Sequence, residues 1–199
     1  MKKLLLLITV LGITACNMGK ENKNSDEITS EENNMEKSNE TMNKLVDDPE
    51  EEGSKMLIGK INYAGLKSEP FDIWFNQSNK EHMLDTTAID LIKPLLENVS
   101  IKVFMGTWCE DSQREVPGLY KVLNASNYNI DTVEMIAVSR DKDTPAGLEK
   151  GFDIQYVPTI IFEKDNKELG RIVEYTQDSL ERDILAILNG SDYQHSYAE

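Results

Sequence analysis

The chain has 199 residues, a formal net charge of −15, 39% hydrophobic residues and 7% aromatic residues. That length holds one ordinary domain with additional segments, and the low apolar content implies that part of the chain lies outside any packed core. No basic block is long enough to hold a nucleic acid, which excludes that partner class, and the thiols are limited to Cys16 and Cys109.

Residues 1–16 open with Lys2-Lys3, continue with an apolar stretch from Leu4 to Leu11 that is too short to span a bilayer, and end in Ile13-Thr14-Ala15-Cys16. This resembles a bacterial lipoprotein signal, in which the final cysteine is cut free, acylated and becomes the first residue. The resemblance implies a lipid anchor on Cys16 and a location in the bacterial cell envelope, facing outside the cytoplasm. It also leaves Cys109 as the sole thiol of the mature chain, so an intramolecular disulfide is excluded.

Residues 17–55 carry twelve acids, five lysines and seven asparagines with almost no large apolar side chain. Such a composition cannot offset chain entropy by burial, and it predicts a disordered acidic linker. A folded domain is expected over 56–190, with 56–84 as its N-terminal extension. Ile58, Ile61 and Tyr63, a turn at Ala64-Gly65, and Phe71–Phe75 after Pro70 suggest a strand pair there. Asp85 can cap a helix that carries Ile89, Ile92 and Leu96 on one face.

Ile101–Met105 is a short apolar run typical of a strand covered on both faces, and it ends at Gly106. Trp108-Cys109 follows, and then a helical pattern with Val116, Leu119, Tyr120 and Leu123 on one face and Pro117 inside it. A cysteine at the first turn of a helix faces unpaired N–H groups and the positive end of the helix dipole, which favour the nucleophilic thiolate. Ser112, one turn on, can donate to that sulfur. Glu110 and Asp111 oppose it as neighbouring negative charges, or serve only as good first-turn residues, and Arg114 offsets them.

Val133–Val138 predicts a second buried strand, closed by Ser139-Arg140-Asp141, and Thr144–Lys150 a short helix with Pro145 in its first turn. Pro158–Phe162 and Leu169–Tyr175 predict a hairpin turning at Asp165-Asn166. Asp178-x-x-Glu181 opens a last helix that stops at Asn189-Gly190, and 191–199 is a polar tail.

This order of elements around a Trp-Cys helix start resembles the thioredoxin fold over roughly residues 70–190. The expected class is therefore α/β, a thioredoxin-like three-layer sandwich with a central mixed sheet. Trp108-Cys109 is similar to the opening of the family's W-C-x-x-C motif, Pro117 to its helix-kinking proline, and Val157-Pro158-Thr159 to its cis-proline loop beside the active cysteine. Two positions depart from the family: Ser112 stands where the resolving cysteine belongs, and Val103 where a buried acid belongs.

The resemblance implies a monothiol disulfide oxidoreductase in envelope thiol homeostasis. Cys109 and Ser112 would form its catalytic pair, and Trp108, Val157 and Pro158 its substrate groove. Its partners would be a disulfide- or thiol-bearing protein or small thiol and an external reducing thiol, with no cofactor. The alternative is a non-catalytic module that binds an extended peptide against the Pro158 loop. Peroxidatic chemistry fits poorly, since Lys102 and Gly106 replace the proline and threonine of P-x-x-x-T-x-x-C. A metal site lacks ligands, because His82 and His195 lie in peripheral segments and are expected at the surface.

Overall fold

A computed structural model describes residues 41–198. Cys16, the signal-like segment and residues 17–40 of the expected linker lie outside the described residues. The ordered chain starts earlier than position 56. Strand β1 (Lys44–Asp47) pairs antiparallel with β2 (Lys55–Ile61), Lys44 opposite Ile58 and Asp47 opposite Lys55. The boundary expected at 55 is therefore corrected, because Leu45 and Val46 amid the charges suffice for a strand once β2 supplies its hydrogen bonds.

After a single helical turn, α1 (Tyr63–Leu66), residues 71–75 form the start of helix α2 (Asp72–Glu81) rather than a strand. Phe71 and Phe75 are buried and Trp74 packs beside them, a spacing of three and four, whereas Ile73 is 73% exposed. That is helical periodicity, and an aromatic-rich run after proline imitates a strand over so short a window. Helix α3 (Thr86–Leu95) begins as expected, with the Asp85 carboxylate accepting from the N–H groups of Thr87 and Ala88 at 3.1 Å each.

Strand β3 (Val99–Met105), helix α4 (Glu110–Ala125) and strand β4 (Glu134–Ala137) make a parallel β–α–β unit, and a 3₁₀ turn (Ile130–Thr132) leads into β4. Strands β5 (Thr159–Lys164) and β6 (Lys167–Val173) form the expected hairpin. Asp165 and Asn166 both have positive φ, as a two-residue turn of matching twist requires. The sheet order is β1-β2-β4-β3-β5-β6, mixed, with β3 and β4 the parallel pair.

Alternation along β3 divides the core. Ile101, Val103 and Met105 face the helices α2, α3, α4 and α5 (Leu180–Leu188), while Phe104 faces a smaller cluster with Ile136, Val138, Val157 and Ile161. Leu148, Phe152 and Ile154 cover that second face. The helix expected over 144–150 is absent. The backbone turns at Gly147 (φ +68°), and the Glu149 carboxylate accepts from both the N–H and the hydroxyl of Thr144. Two helix-competing bonds to one carboxylate favour this looped layer over a helix.

At α5 the cap is Ser179, whose hydroxyl accepts from the Arg182 N–H at 3.3 Å, and not Asp178. Glu181, expected as a capping-box partner, is instead 1% exposed and held by His82. The polar tail packs back on the domain: the Tyr193 hydroxyl donates to Asp183 at 2.8 Å, and Tyr197 stacks on Tyr156 at 3.9 Å. Among the described residues no helix is long and apolar enough to cross a membrane.

Candidate active site

The parallel strands β3 and β4 end side by side, and the chain leaves β3 through Gly106-Thr107-Trp108 before α4 begins. Loops at the carboxyl ends of parallel strands are where α/β sheets gather reactive groups. Cys109 is the N-cap residue of α4, half-buried, with extended backbone angles. Its thiol does not cap the helix. It donates to the carbonyl oxygen of Val157 at 3.2 Å.

The Val157–Pro158 peptide bond is cis, as the Val-Pro-Thr pattern and its resemblance predict, and both residues are buried. The loop is tied down from two sides. The Pro158 carbonyl accepts from the Glu174 N–H at 2.7 Å, and the Thr159 hydroxyl donates to the Tyr156 carbonyl at 2.7 Å. The structure thus brings together Trp108, Cys109, Val157 and Pro158, the residues the sequence marks as nucleophile and groove.

Ser112 is placed differently from its expected use. It is fully buried, and its hydroxyl accepts from the Gly106 N–H at 3.2 Å. That bond ties the first turn of α4 to the end of β3, so Ser112 braces the loop that carries Cys109. Gln113 adds a second brace, donating from Nε2 to the Thr107 carbonyl at 2.8 Å. Arg114 is engaged by Asp111 at 2.5 Å and Glu115 at 2.9 Å, which offsets the acidic first turn as anticipated. Burial pushes the Glu115 carboxyl up despite that partner.

Trp108 lies across Gly106 so closely that a Cβ there would fall 2.5 Å from Cε2 of the indole. Its Nε1 donates to the Val138 carbonyl at 3.1 Å, and the Arg140 guanidinium sits 5.1 Å from its ring centre. Arg140 is gripped in turn by Asp48, Nε to Oδ1 at 2.7 Å and Nη2 to Oδ2 at 2.9 Å. The Arg140 fork holds the Asp48 carboxyl below the usual carboxylate range, outweighing its burial. Asp48 and Arg140 are residues that sequence reasoning missed. The only signal was the position of Arg140 just past the strand that runs parallel to β3.

Two open cavities border these elements. One of about 490 Å³ is lined by Trp108, Thr107 and Gln113 together with Trp74, Pro70 and Lys55. Another of about 730 Å³ lies against Tyr156, Thr159, Arg171 and Tyr197.

The histidines, expected at the surface, are both partly exposed and both hydrogen-bonded. His82 is half-buried, its Nε2 2.9 Å from Glu181, and His195 is half-buried in the tail. Neither approaches the thiol through a hydrogen bond. Among the described residues no group of three or more His, Cys, Asp or Glu side chains is arranged to hold a metal ion.

Compared with protein-family models and with curated proteins, the chain matches none. Among solved structures, a protein of unknown function from Pseudomonas aeruginosa is similar at 17% identity over 67% of this chain and 93% of its own, with a TM-score of 0.49. Mitochondrial thioredoxin 3 from Saccharomyces cerevisiae, in its oxidized form, is similar at 24% identity over 48% of this chain and 86% of its own, with a TM-score of 0.30. The mixed six-stranded sheet, the β3–α4–β4 unit and the closing β5–β6–α5 segment give the chain the α/β, thioredoxin-like fold expected from its sequence.

Proposed function

We propose that this protein is a monothiol thiol–disulfide oxidoreductase of the bacterial envelope, anchored through a lipid on Cys16 and acting through Cys109. The observation that carries the reading is the pairing of Cys109, half-exposed at the N-terminus of the 16-residue helix α4, with the Val157 carbonyl of the cis-proline loop. The anchor and the envelope location are supported by the composition of residues 1–16.

The chemistry is exchange. The Cys109 proton leaves its bond to the Val157 carbonyl, and the thiolate attacks one sulfur of a partner disulfide. A Cys109–partner disulfide forms, the partner's sulfur–sulfur bond breaks, and its second sulfur departs as a thiolate that takes up a proton. No second cysteine stands in α4 to reverse this, because position 112 is the serine that braces Gly106. An external thiol then attacks the mixed disulfide. Cys109 departs as the thiolate, and the outside thiol is left joined to the partner's sulfur. A second outside thiol attacks that bond, frees the partner as a dithiol and leaves joined to the first, so two outside thiols together supply the two electrons that reduce the substrate.

The test is trapping. Purified protein mixed with insulin should yield a reductant-sensitive adduct that accumulates until a small thiol is added, and Cys109→Ala should yield none. A Cys109 that alkylates readily yet forms no adduct would overturn exchange and favour a peptide-binding module.

A further inference from the structure

We infer that Arg140 is a positioning residue for the Cys109 site: anchored by Asp48, it holds the Trp108 indole as a fixed wall against which a partner's disulfide-bearing segment is oriented. This rests on the exchange reading above.

The indole is constrained on three sides. Its edge is fixed by the bond from Nε1 to the Val138 carbonyl, and Val138 is itself locked beside β3 by its N–H to the Met105 carbonyl at 2.9 Å. Close approach to Gly106 limits the ring on another side. The Arg140 guanidinium lies over the ring at 5.1 Å. A planar guanidinium can stack on an aromatic ring and fork onto a carboxylate at once, which an ammonium cannot.

Asp48 is what holds Arg140 in that pose. It is 6% exposed and sits where the β1–β2 hairpin turns, with its N–H donating to the Ser54 carbonyl at 3.0 Å. Its carboxylate accepts two bonds from Arg140 and one from the Glu50 N–H. The same hairpin reaches the reactive loop a second time, where the Leu57 N–H donates to the Thr107 hydroxyl at 3.1 Å. The N-terminal hairpin therefore meets the site at Thr107 directly and at Trp108 through Arg140, the two residues that precede Cys109.

A salt bridge that merely fastened the hairpin would have no reason to reach the tryptophan next to the nucleophile. Fixing that ring in advance spares a partner the cost of ordering it, which matters for a large substrate and little for a small one.

The test uses Arg140→Ala, Arg140→Lys and Asp48→Asn, each shown to unfold cooperatively. Exchange at Cys109 is timed with insulin and with 2-hydroxyethyl disulfide. The insulin rate should fall by roughly tenfold and the small-disulfide rate by less than about twofold, as expected when orientation and not thiol reactivity is lost. Arg140→Lys should resemble Arg140→Ala, since charge alone does not restore the fork or the stack. In a Trp74→Phe background, which leaves Trp108 as the sole tryptophan, all three should make the indole more accessible to acrylamide.

Equal losses with both disulfides, full rescue by lysine, or unchanged quenching of Trp108 would each overturn the positioning role. Wild type silent toward both disulfides would instead overturn the exchange reading and this inference with it, so the two failures are distinct.

Discussion

Cys109 Sγ and the Val157 carbonyl oxygen lie 3.2 Å apart although 48 residues separate them in the chain. The contact joins the start of α4 to the loop that precedes β5, two segments held by different strands of one sheet. A backbone carbonyl held so near a thiol defines where the sulfur points, and it leaves the sulfur half-exposed. In the exchange proposed above, a substrate sulfur approaching Cys109 would meet it alongside this loop.

The missing second thiol can be supplied. Ser112 is buried one helical turn beyond Cys109, and Ser112→Cys should close a disulfide with Cys109 under mild oxidant if the Cβ separation falls near the usual ~3.5–4.5 Å. With Cys16 replaced by serine, thiol counting should give two free thiols in the reduced variant and none in the oxidised one. The exchange of a hydroxyl acceptor for a sulfur at the Gly106 N–H should cost about 1 kcal/mol in the reduced state. Two thiols that remain free would show that position 112 acts only as a brace.

Gly106→Ala tests the packing of the indole. The new methyl group would overlap Trp108 at 2.5 Å, so the ring or the loop must move. Overpacking of this kind typically costs about 1–3 kcal/mol. We expect that loss in chemical unfolding, together with a red-shifted Trp108 emission, read in the Trp74→Phe background, as the ring leaves its bond to Val138. Unchanged stability and emission would place the ring elsewhere.

The His82–Glu181 pair sets an acid limb of stability. Burial drives the Glu181 carboxyl up, but the His82 hydrogen bond and the backbone N–H groups of Glu181 and Asp85 prevail, and it is held below the usual range. A carboxyl depressed in the folded state contributes stability that is present above its unfolded value, about 4.3, and lost as pH falls through the folded one. Wild type should therefore exceed Glu181→Gln in unfolding midpoint at pH 6, and the gap should close as pH drops well below 4. A gap independent of pH would mean that the carboxylate's charge plays no part.

The anchor has its own measurement. Cells fed a clickable fatty acid should label the wild-type protein, and Cys16→Ser should remain unlabelled and keep its leader. Equal labelling of both would remove the lipid anchor from the proposal.

Much of the segment around Cys109 was legible in the residues. A run such as Ile101–Met105 ending at glycine, then Trp-Cys and a 3.6-residue pattern, encodes strand, loop and helix by local periodicity alone, and the structure has them as β3, Gly106–Trp108 and α4. The Asp165-Asn166 turn and the Asp85 cap are equally local, since each depends on side chains within a few residues. Where short windows fit two periods, the residues were ambiguous. Phe71–Phe75 satisfies a strand by composition and a helix by spacing, and burial of Phe71 and Phe75 against the core settled it as α2.

What only the tertiary structure decided is which distant groups meet. Glu181 looks like a capping residue until α5 packs beside α3 and presents it to His82, the residue that closes α2, 99 positions earlier. Asp48 reads as one more acid in an acidic stretch, and Arg140 as a loop residue, until the β1–β2 hairpin and the end of β4 bring them together across 92 positions. No local propensity encodes such a pair. Its geometry depends on sheet register and strand order, long-range quantities that the chain acquires only when the whole sheet assembles.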